Sequence, residues 1–212
     1  MRLAIIVPYR NRASHASIFI PYMSAYLKMQ GHQDFKILLV EQADDKPFNR
    51  GKLLNVGYNS VQADYYVFHD IDMLPITADY SGCINPTHLV SNATQFKDGI
   101  PYETYFGGVT MFPDADFLLI NGFSNEYWGW GCEDDDLILR CEVAGLKTTR
   151  REGGVFKSLE HDVNIDQKLA TINYDRYKKK IHYNEDGLST LQFNLVGSKV
   201  YTSHASLISV TL

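Results

Sequence analysis

Residues 3–12 read Leu-Ala-Ile-Ile-Val-Pro-Tyr-Arg-Asn-Arg. Five apolar residues in an unbroken row, ended by Pro8, describe a strand buried on both faces. Strands of that kind belong to parallel sheets covered by helices, and the sequence downstream continues the pattern. Residues 14–30 predict a helix, with Ile18, Phe19, Tyr22, Met23, Tyr26 and Leu27 on one face and Gly31 as its stop. Residues 35–40 predict a second strand, 50–61 a second helix and 65–68 a third strand. This βαβαβ alternation defines an α/β chain with a parallel sheet. Ligands of such sheets bind beyond the carboxyl ends of the strands. The residues there are polar: Arg10 and Arg12, then Glu41, then Asp70 and Asp72.

Further along, residues 76–104 are polar and irregular, and residues 117–120 form a short apolar element leading into Asn121-Gly122. A Gly- and Trp-rich loop spans residues 122–132. Residues 133–144 predict a helix with Leu137, Ile138, Cys141 and Ala144 on one face and Gly145 as its stop. Residues 164–180 are charged and helical in part, and residues 191–212 add strand. There is no internal repeat and no low-complexity segment. The 212 residues fit one domain, with the βαβαβ unit and its polar strand ends in about 1–75 and the irregular, Trp-rich and acidic remainder in about 76–212.

The net charge of -5 argues against general nucleic-acid binding, which needs basic surface to meet phosphates. It leaves room for one nucleotide held locally by a few arginines. Cys83, Cys132 and Cys141 form an odd set without motif spacing, so neither a disulfide framework nor a zinc site is expected and the chain reads as reduced and intracellular. No apolar run approaches the ~20 residues of a membrane helix, and the start of the chain lacks the pattern of a signal peptide. The oligomeric state has no sequence signal.

Three segments carry chemistry. His69-Asp70-Ile71-Asp72 sets two carboxylates just past a strand, where hard divalent cations are often shared with substrate phosphates; a plain turn or cap is the alternative. Arg10 and Arg12 have the geometry to fork onto a diphosphate, or else are solvated loop cations. Residues 127–136 read YWGWGCEDDD, placing both tryptophans of the protein between glycines and beside four acids. Trp faces stack on sugar rings and glycines admit a ligand close to the backbone. Four acids at a helix start are favoured by the dipole, which also favours the ionised form of a general base. An acidic N-cap explains one or two of them, not four acids with two tryptophans. His161 alone is either a metal ligand or a surface histidine.

Together these segments resemble the β-1,4-galactosyltransferase family. VPYRNR (7–12) and FNRGKLLNVGY (48–58) look like its nucleotide-binding segments, and FHDIDMLP (68–75) is similar to its Asp-x-Asp segment. YFGGV (105–109) resembles its donor-sugar segment, GFSNEYWGWGCEDDD (122–136) its acceptor and catalytic segment, and EDGLSTL (185–191) a late segment. The resemblance implies the GT-A fold: a nucleotide-binding sheet with flanking helices and a smaller second sheet. It implies an inverting transfer of galactose from UDP-galactose to a sugar hydroxyl, of the N-acetylglucosamine, glucose or xylose type, with a β-1,4 linkage.

By the same resemblance, Arg10, Arg12 and Arg50 would hold the diphosphate, with Pro8, Tyr9 and Phe48 around the uridine. Asp70 would contact the donor and Trp130 would close over it. Tyr105 would crowd the donor's C2 position. Asp72 and His161 would bind Mn²⁺, with Mg²⁺ as the alternative. Asp134 would be the catalytic base with Glu133 in support. Asp135, Trp128, Gly131 and Cys132, with Tyr105, would meet the acceptor. Two departures stand out. Ser158 replaces the Met that many members carry three residues before the metal His, and Leu159 replaces the His of another branch. This leaves Ser158, Glu160, Asp162 or water as third ligand. Cys132 stands where relatives have Gly or Arg. The chain also lacks the family's Golgi anchor, stem and disulfides, so it reads as a soluble cytoplasmic form, with the catalytic domain of a Golgi-type enzyme as the alternative. Two readings from other classes use the same residues: a metal-dependent nucleotide-sugar hydrolase and a non-catalytic sugar- or nucleotide-binding module.

Overall fold

Leu3–Tyr9 form β1, and all seven of its side chains are buried. Alternate residues leave a strand on opposite faces, so Leu3, Ile5 and Val7 join one core and Ala4 and Ile6 the other. The first core is completed by α1 (Ala13–Met29), through Phe19, Met23 and Leu27. After β2 (Phe35–Gln42), helix α2 (Arg50–Ser60) covers the opposite face through Leu53, Leu54 and Val56. Truncating one such fully buried Leu or Phe to Ala would cost about 2–5 kcal/mol. β3 (Tyr65–His69) completes the parallel unit, with Ile5 opposite Ile37 on one side and Val67 on the other.

The computed structural model describes residues 1–97, 99–162, 165–179 and 185–212. Its remaining elements are β4 (Met73–Thr77), β5 (Thr87–His88), β6 (Asn92–Ala93), β7 (Val109–Pro113), α3 (Asp114–Leu119), α4 (Glu133–Val143), β8 (Thr149–Arg150), β9 (Val155–Ser158), α5 (Gln167–Lys178), β10 (Asn194–Val200) and β11 (Ala205–Thr211), with a 3₁₀ turn at Leu188–Thr190. The main sheet has the order β10-β11-β2-β1-β3-β7-β5-β8, and a smaller sheet the order β4-β9-β6. The expected two-sheet α/β architecture is present, although the large sheet is mixed: β7 runs antiparallel to β3, and β10 antiparallel to β11. No helix among the described residues is long and apolar enough to cross a membrane.

The structure adds detail to the periodicity reading. The buried stripe of α1 runs through Ala16, Phe19, Ile20, Met23 and Leu27, whereas Ile18 and Tyr22 are 46% and 39% exposed. Tyr22 and Tyr26 instead prop the chain around β4: their hydroxyls donate to the carbonyls of Pro75 and Ala78 at 2.7 and 2.9 Å. Amphipathic tyrosines read as apolar in a helical wheel yet use their polar tips at the rim. The short apolar element at 117–120 covers the end of α3 and the residue that caps it: Phe117 and Ile120 are buried, whereas Leu118 and Leu119 are exposed. Finally, Asn164 and Lys180, the ends of the expected charged helix, lie outside the described residues, while α5 occupies the centre of that stretch.

Candidate active site

A cleft of about 890 Å³ opens at the carboxyl ends of β1 and β3. The first wall follows β1. Asn11 takes a left-handed φ of 54°, a conformation Asn tolerates better than most residues, so the chain turns between Arg10 and Arg12 and both arginines line the cleft. Arg10 donates to the Lys46 carbonyl at 2.6 Å, and its guanidinium lies 5.2 Å from the Phe48 ring centre. At the start of α2, Asn49 caps the helix by accepting from the Lys52 amide at 2.9 Å. This sets Arg50 at the floor, its Nε donating to Asp70 Oδ1 at 2.7 Å and its Nη1 lying 3.8 Å from Glu133 Oε1. Burial works against the Arg50 charge, but Asp70, then Glu133 and Asp134, outweigh it and push its pKa up.

The second wall follows β3. Burial lowers the His69 imidazole to about 4, so the ring is neutral at pH 7, and its Nε2 pairs with the Tyr80 hydroxyl at 2.8 Å. His69 anchors the turn that presents Asp70 and Asp72. Antiparallel pairing of β4 with β9 sets Met73 opposite Ser158, and the Leu159 amide donates to the Asp72 carbonyl at 2.7 Å. That register carries His161 to Asp72, with Nε2 and Oδ2 2.8 Å apart. Ser158 Oγ and His161 Nδ1 are buried without a hydrogen-bond partner, as is Nδ1 of His15, whose ring centre lies 6.1 Å from that of His161. Among the described residues no three His, Cys, Asp or Glu side chains form a self-sufficient metal cage. A carboxylate and an imidazole 2.8 Å apart, the ring's other nitrogen free, nevertheless fit a divalent ion of the Mg²⁺ or Mn²⁺ kind, which usually completes its shell with substrate phosphates and water.

The third wall is the start of α4. Cys132 precedes the helix at a left-handed φ of 71°, and the four acids then separate. Glu133, Asp134 and Asp135 line the cleft. Asp136 is 5% exposed and accepts from Arg140 Nε at 2.6 Å. Arg140 also donates to the carbonyls of Gly122 and Asp186 at 3.2 and 2.8 Å, so a buried charge network locks α4 to the loops around residues 122 and 186. The fourth acid is therefore a scaffold group, and Asp186 explains part of the late segment singled out in the sequence. Burial and the Asp134 charge raise Glu133 to about 7 against the pull of Arg50. Burial raises Asp134 to about 6; Arg50 opposes this and Asp135 adds to it. Burial, then the Asp135 and Glu133 charges, raise the Cys132 thiol to about 11, so it stays protonated.

The last wall comes from the irregular stretch. Gln95, Phe96, Pro101, Tyr102 and Tyr105 line the cleft, and the Tyr102 hydroxyl donates to Asp135 Oδ1 at 2.8 Å. Tyr105 is kept as a neutral phenol by burial and by the Asp70 and Asp134 charges. Trp130 is 60% exposed between Gly129 and Gly131, whose φ values of 79° and 104° suit glycine. Its loop is tied down by Asn173 of α5, whose Nδ2 donates to the carbonyls of Trp128 and Trp130 at 3.0 and 3.1 Å.

Most residues singled out in the sequence thus meet in one cleft; Asp136 lies behind it, Ser158, Glu160 and Asp162 are outside its lining, and three more residues stand apart. Tyr9 is 7% exposed in the core on the α1 side. Trp128 is outside the lining, with Lys46 and Lys52 ammonium groups 5.8 and 5.7 Å from its ring centre. Glu41, at the end of β2, accepts from the Ser209 hydroxyl of β11 and lines no part of the cleft. Sequence reading missed Gln95, Phe96, Pro101 and Tyr102, which lie in loops without periodicity; the aromatic residues among them were the only available signal.

A sheet of this topology, with arginines, carboxylates and a Trp loop gathered at its carboxyl edge, defines a glycosyltransferase domain of the GT-A fold. Residues 1–82 match the family described as the N-terminal region of glycosyl transferase group 7, and residues 87–162 match the N-terminal domain of galactosyltransferase. Human beta-1,4-galactosyltransferase 4 is 39% identical over 210 residues, 92% of this chain and 59% of its own length. The catalytic domain of Drosophila beta1,4galactosyltransferase 7 in complex with xylobiose superposes with a TM-score of 0.85 at 28% identity, covering 100% of this chain and 94% of that one. A mutant of that enzyme in complex with manganese, UDP-Gal and xylobiose gives a TM-score of 0.83 at 26% identity, covering 100% and 94%. The chain belongs to the β-1,4-galactosyltransferase family. It spans a little over half the length of the curated relatives it matches.

Proposed function

We propose that this chain is an inverting, metal-dependent galactosyltransferase that moves galactose from UDP-galactose to a hydroxyl of a sugar acceptor and forms a β-1,4 linkage. One observation carries the reading: Asp134, a carboxylate raised to about 6 at a helix N-terminus, shares its cleft with three arginines and the Asp72–His161 pair. A pKa near 6 leaves Asp134 ionised at neutral pH yet basic enough to take a proton. The acceptor oxygen attacks the anomeric carbon, the bond from that carbon to the diphosphate oxygen breaks, and the pair of electrons leaves with UDP. The acceptor proton goes to Asp134. Glu133, paired with Arg50, holds the floor beneath it.

Arg10, Arg12 and Arg50 neutralise the diphosphate, with Pro8 and Phe48 beside the uridine. Tyr9 supports this wall from the core. Asp72 and His161 would hold Mn²⁺, or Mg²⁺ in its place, which when bound adds positive charge against the leaving group. Tyr105 crowds C2 of the donor sugar, and Trp130 covers the donor and helps exclude water. Asp135 with Tyr102, flanked by Gly131 and Cys132, receives the acceptor, and Trp128 backs that loop from behind. Residues 1–75 thus supply mainly nucleotide contacts and residues 76–212 the acceptor and the base. A cytoplasmic setting is supported by three free thiols, Cys83, Cys132 and Cys141.

The test is UDP release with Mn²⁺ and a metal-free control. UDP-galactose, UDP-N-acetylgalactosamine and UDP-glucose are paired with N-acetylglucosamine, glucose and xylose acceptors. Acceptor-stimulated release from UDP-galactose is the expected result. Release indifferent to every acceptor identifies a hydrolase, and metal-dependent UDP binding without release identifies a binding module.

A further inference from the structure

His88 and Arg150 lie outside the cleft lining and have no part in the chemistry above. They are register partners in β5 and β8, two-residue strands at the far edge of the main sheet. His88 is fully buried. Arg150 Nε donates to His88 Nδ1 at 3.1 Å. An arginine only donates, so His88 Nδ1 carries no proton and the ring hydrogen sits on Nε2. That nitrogen therefore donates to the Gly107 carbonyl, 2.8 Å away. Burial lowers the ring to about 4, which keeps it in this neutral tautomer at working pH. Arg150 Nη2 then donates to the carbonyls of Tyr105 at 2.7 Å and Glu103 at 3.0 Å. One His–Arg pair thereby grips three carbonyls of a single loop.

That loop is the wall of the cleft. The His88 ring meets the Tyr105 ring edge-on, with centres 5.4 Å apart at 78°, so the brace holds the side chain as well as the backbone. Two residues on, the loop abuts the base: a Cβ at Gly107 would lie 2.2 Å from Asp134 Oδ2 and 2.8 Å from the Tyr105 ring. A shift of the loop by a fraction of an ångström alters both the room beside the donor sugar and the space left for Asp134. Simple sheet-edge adhesion would direct these donors along the ladder. Here every nitrogen contact described for the pair goes to its own partner or to the loop.

We propose that His88 and Arg150 are positioning residues that set the Tyr105–Gly107 wall and thereby determine which donor sugar the cleft accepts, without touching substrate. The proposal rests on the reading of Tyr105 as the residue facing C2 of the donor. Three variants test it in the full chain. Arg150→Met keeps volume and removes the donors, His88→Phe keeps the edge-on ring and removes both nitrogens, and Arg150→Lys restores the charge with one point of attachment. Wild type and variants are compared for kcat/KM with UDP-galactose over UDP-N-acetylgalactosamine, for UDP affinity by calorimetry, and for amide hydrogen exchange across residues 102–109.

Arg150→Met and His88→Phe should each lower the donor ratio by about tenfold or more, since a misplacement of about 1 Å can cost ~10²-fold. UDP affinity should stay within about twofold, and exchange in the loop should rise about tenfold, as a loosened local unit exchanges faster. Arg150→Lys should recover part of the ratio. An unchanged ratio with wild-type exchange overturns the proposal, as does loss of UDP binding in step with activity, the mark of general collapse. A wild type with no donor preference would sink the functional reading separately. Loop exchange then decides the brace: acceleration confined to residues 102–109 sustains it, and none refutes it.

Discussion

Asp134→Asn removes a carboxylate that the fold shifts from 3.8 to about 6. A carboxyl group with a raised folded-state pKa binds its proton more tightly in the native protein than in the unfolded chain. Stability therefore falls as pH rises from about 4 to about 6 and stays lowered above that range. About two pKa units correspond to a ceiling of ~3 kcal/mol. Asp134 borders an open cleft, and water screening brings the expected gain from neutralisation to ~1–2 kcal/mol. In a domain of this size each kcal/mol moves Tm by about 2–4 °C. The Asn variant should thus melt about 2–8 °C higher than wild type at pH 7.5, and the gap should shrink to about 1–2 °C at pH 4. Its amide oxygen can keep the hydrogen bond from the Asp135 amide, 3.1 Å in the wild type, so no new orphan is made. Turnover should move the other way, falling about 10²–10⁴-fold with the base gone. Metal-free thermal unfolding at the two pH values and steady-state transfer with Mn²⁺ measure both. A variant no more stable at pH 7.5 than at pH 4 relative to wild type, or one that transfers normally, would refute the reasoning.

Gly107→Ala forces a methyl to within 2.2 Å of Asp134 Oδ2; kcat should fall about 10²-fold with UDP affinity kept, and unchanged kcat would mean the base has slack. Tyr105→Leu should admit UDP-N-acetylgalactosamine in donor-competition assays, and unaltered preference would remove Tyr105 from that role. Arg140→Ala strands the buried Asp136 on α4 without its partner and should cost about 3–5 kcal/mol in urea unfolding; a loss under 1 kcal/mol would show that water replaces the guanidinium. Asp72→Ala and His161→Ala should each weaken Mn²⁺ binding at least tenfold in spin-resonance titrations of the UDP complex, because each removes a proposed ligand; unchanged affinity would place the ion elsewhere.

The amino-acid order alone determined the central layers. Residues 3–7 are continuously apolar, as a strand buried on both faces is; 35–40, interrupted only by Lys36, and 65–68 follow it, and the intervening helical segments point to a parallel unit. The strand ends followed, and with them Arg10, Arg12, Asp70 and Asp72 at the ligand edge. The run at 127–136 marked the second half of the cleft, and the resemblance of the segments supplied roles for the rest. Other decisions needed three dimensions. Nothing in the spacing of Asp72 and His161 predicts a 2.8 Å approach, which comes from antiparallel pairing of β4 with β9. The four acids at 133–136 look alike in sequence, yet one turn of α4 brings Asp136 against Arg140 and leaves its neighbours in the cleft. Tyr102, His88 and Arg150 carry no pattern, since loops and two-residue strands have no period to read. Periodicity reports which face of an element is buried. Which buried or rim-lying side chains meet across elements depends on register and loop path, and those are properties of the folded chain as a whole.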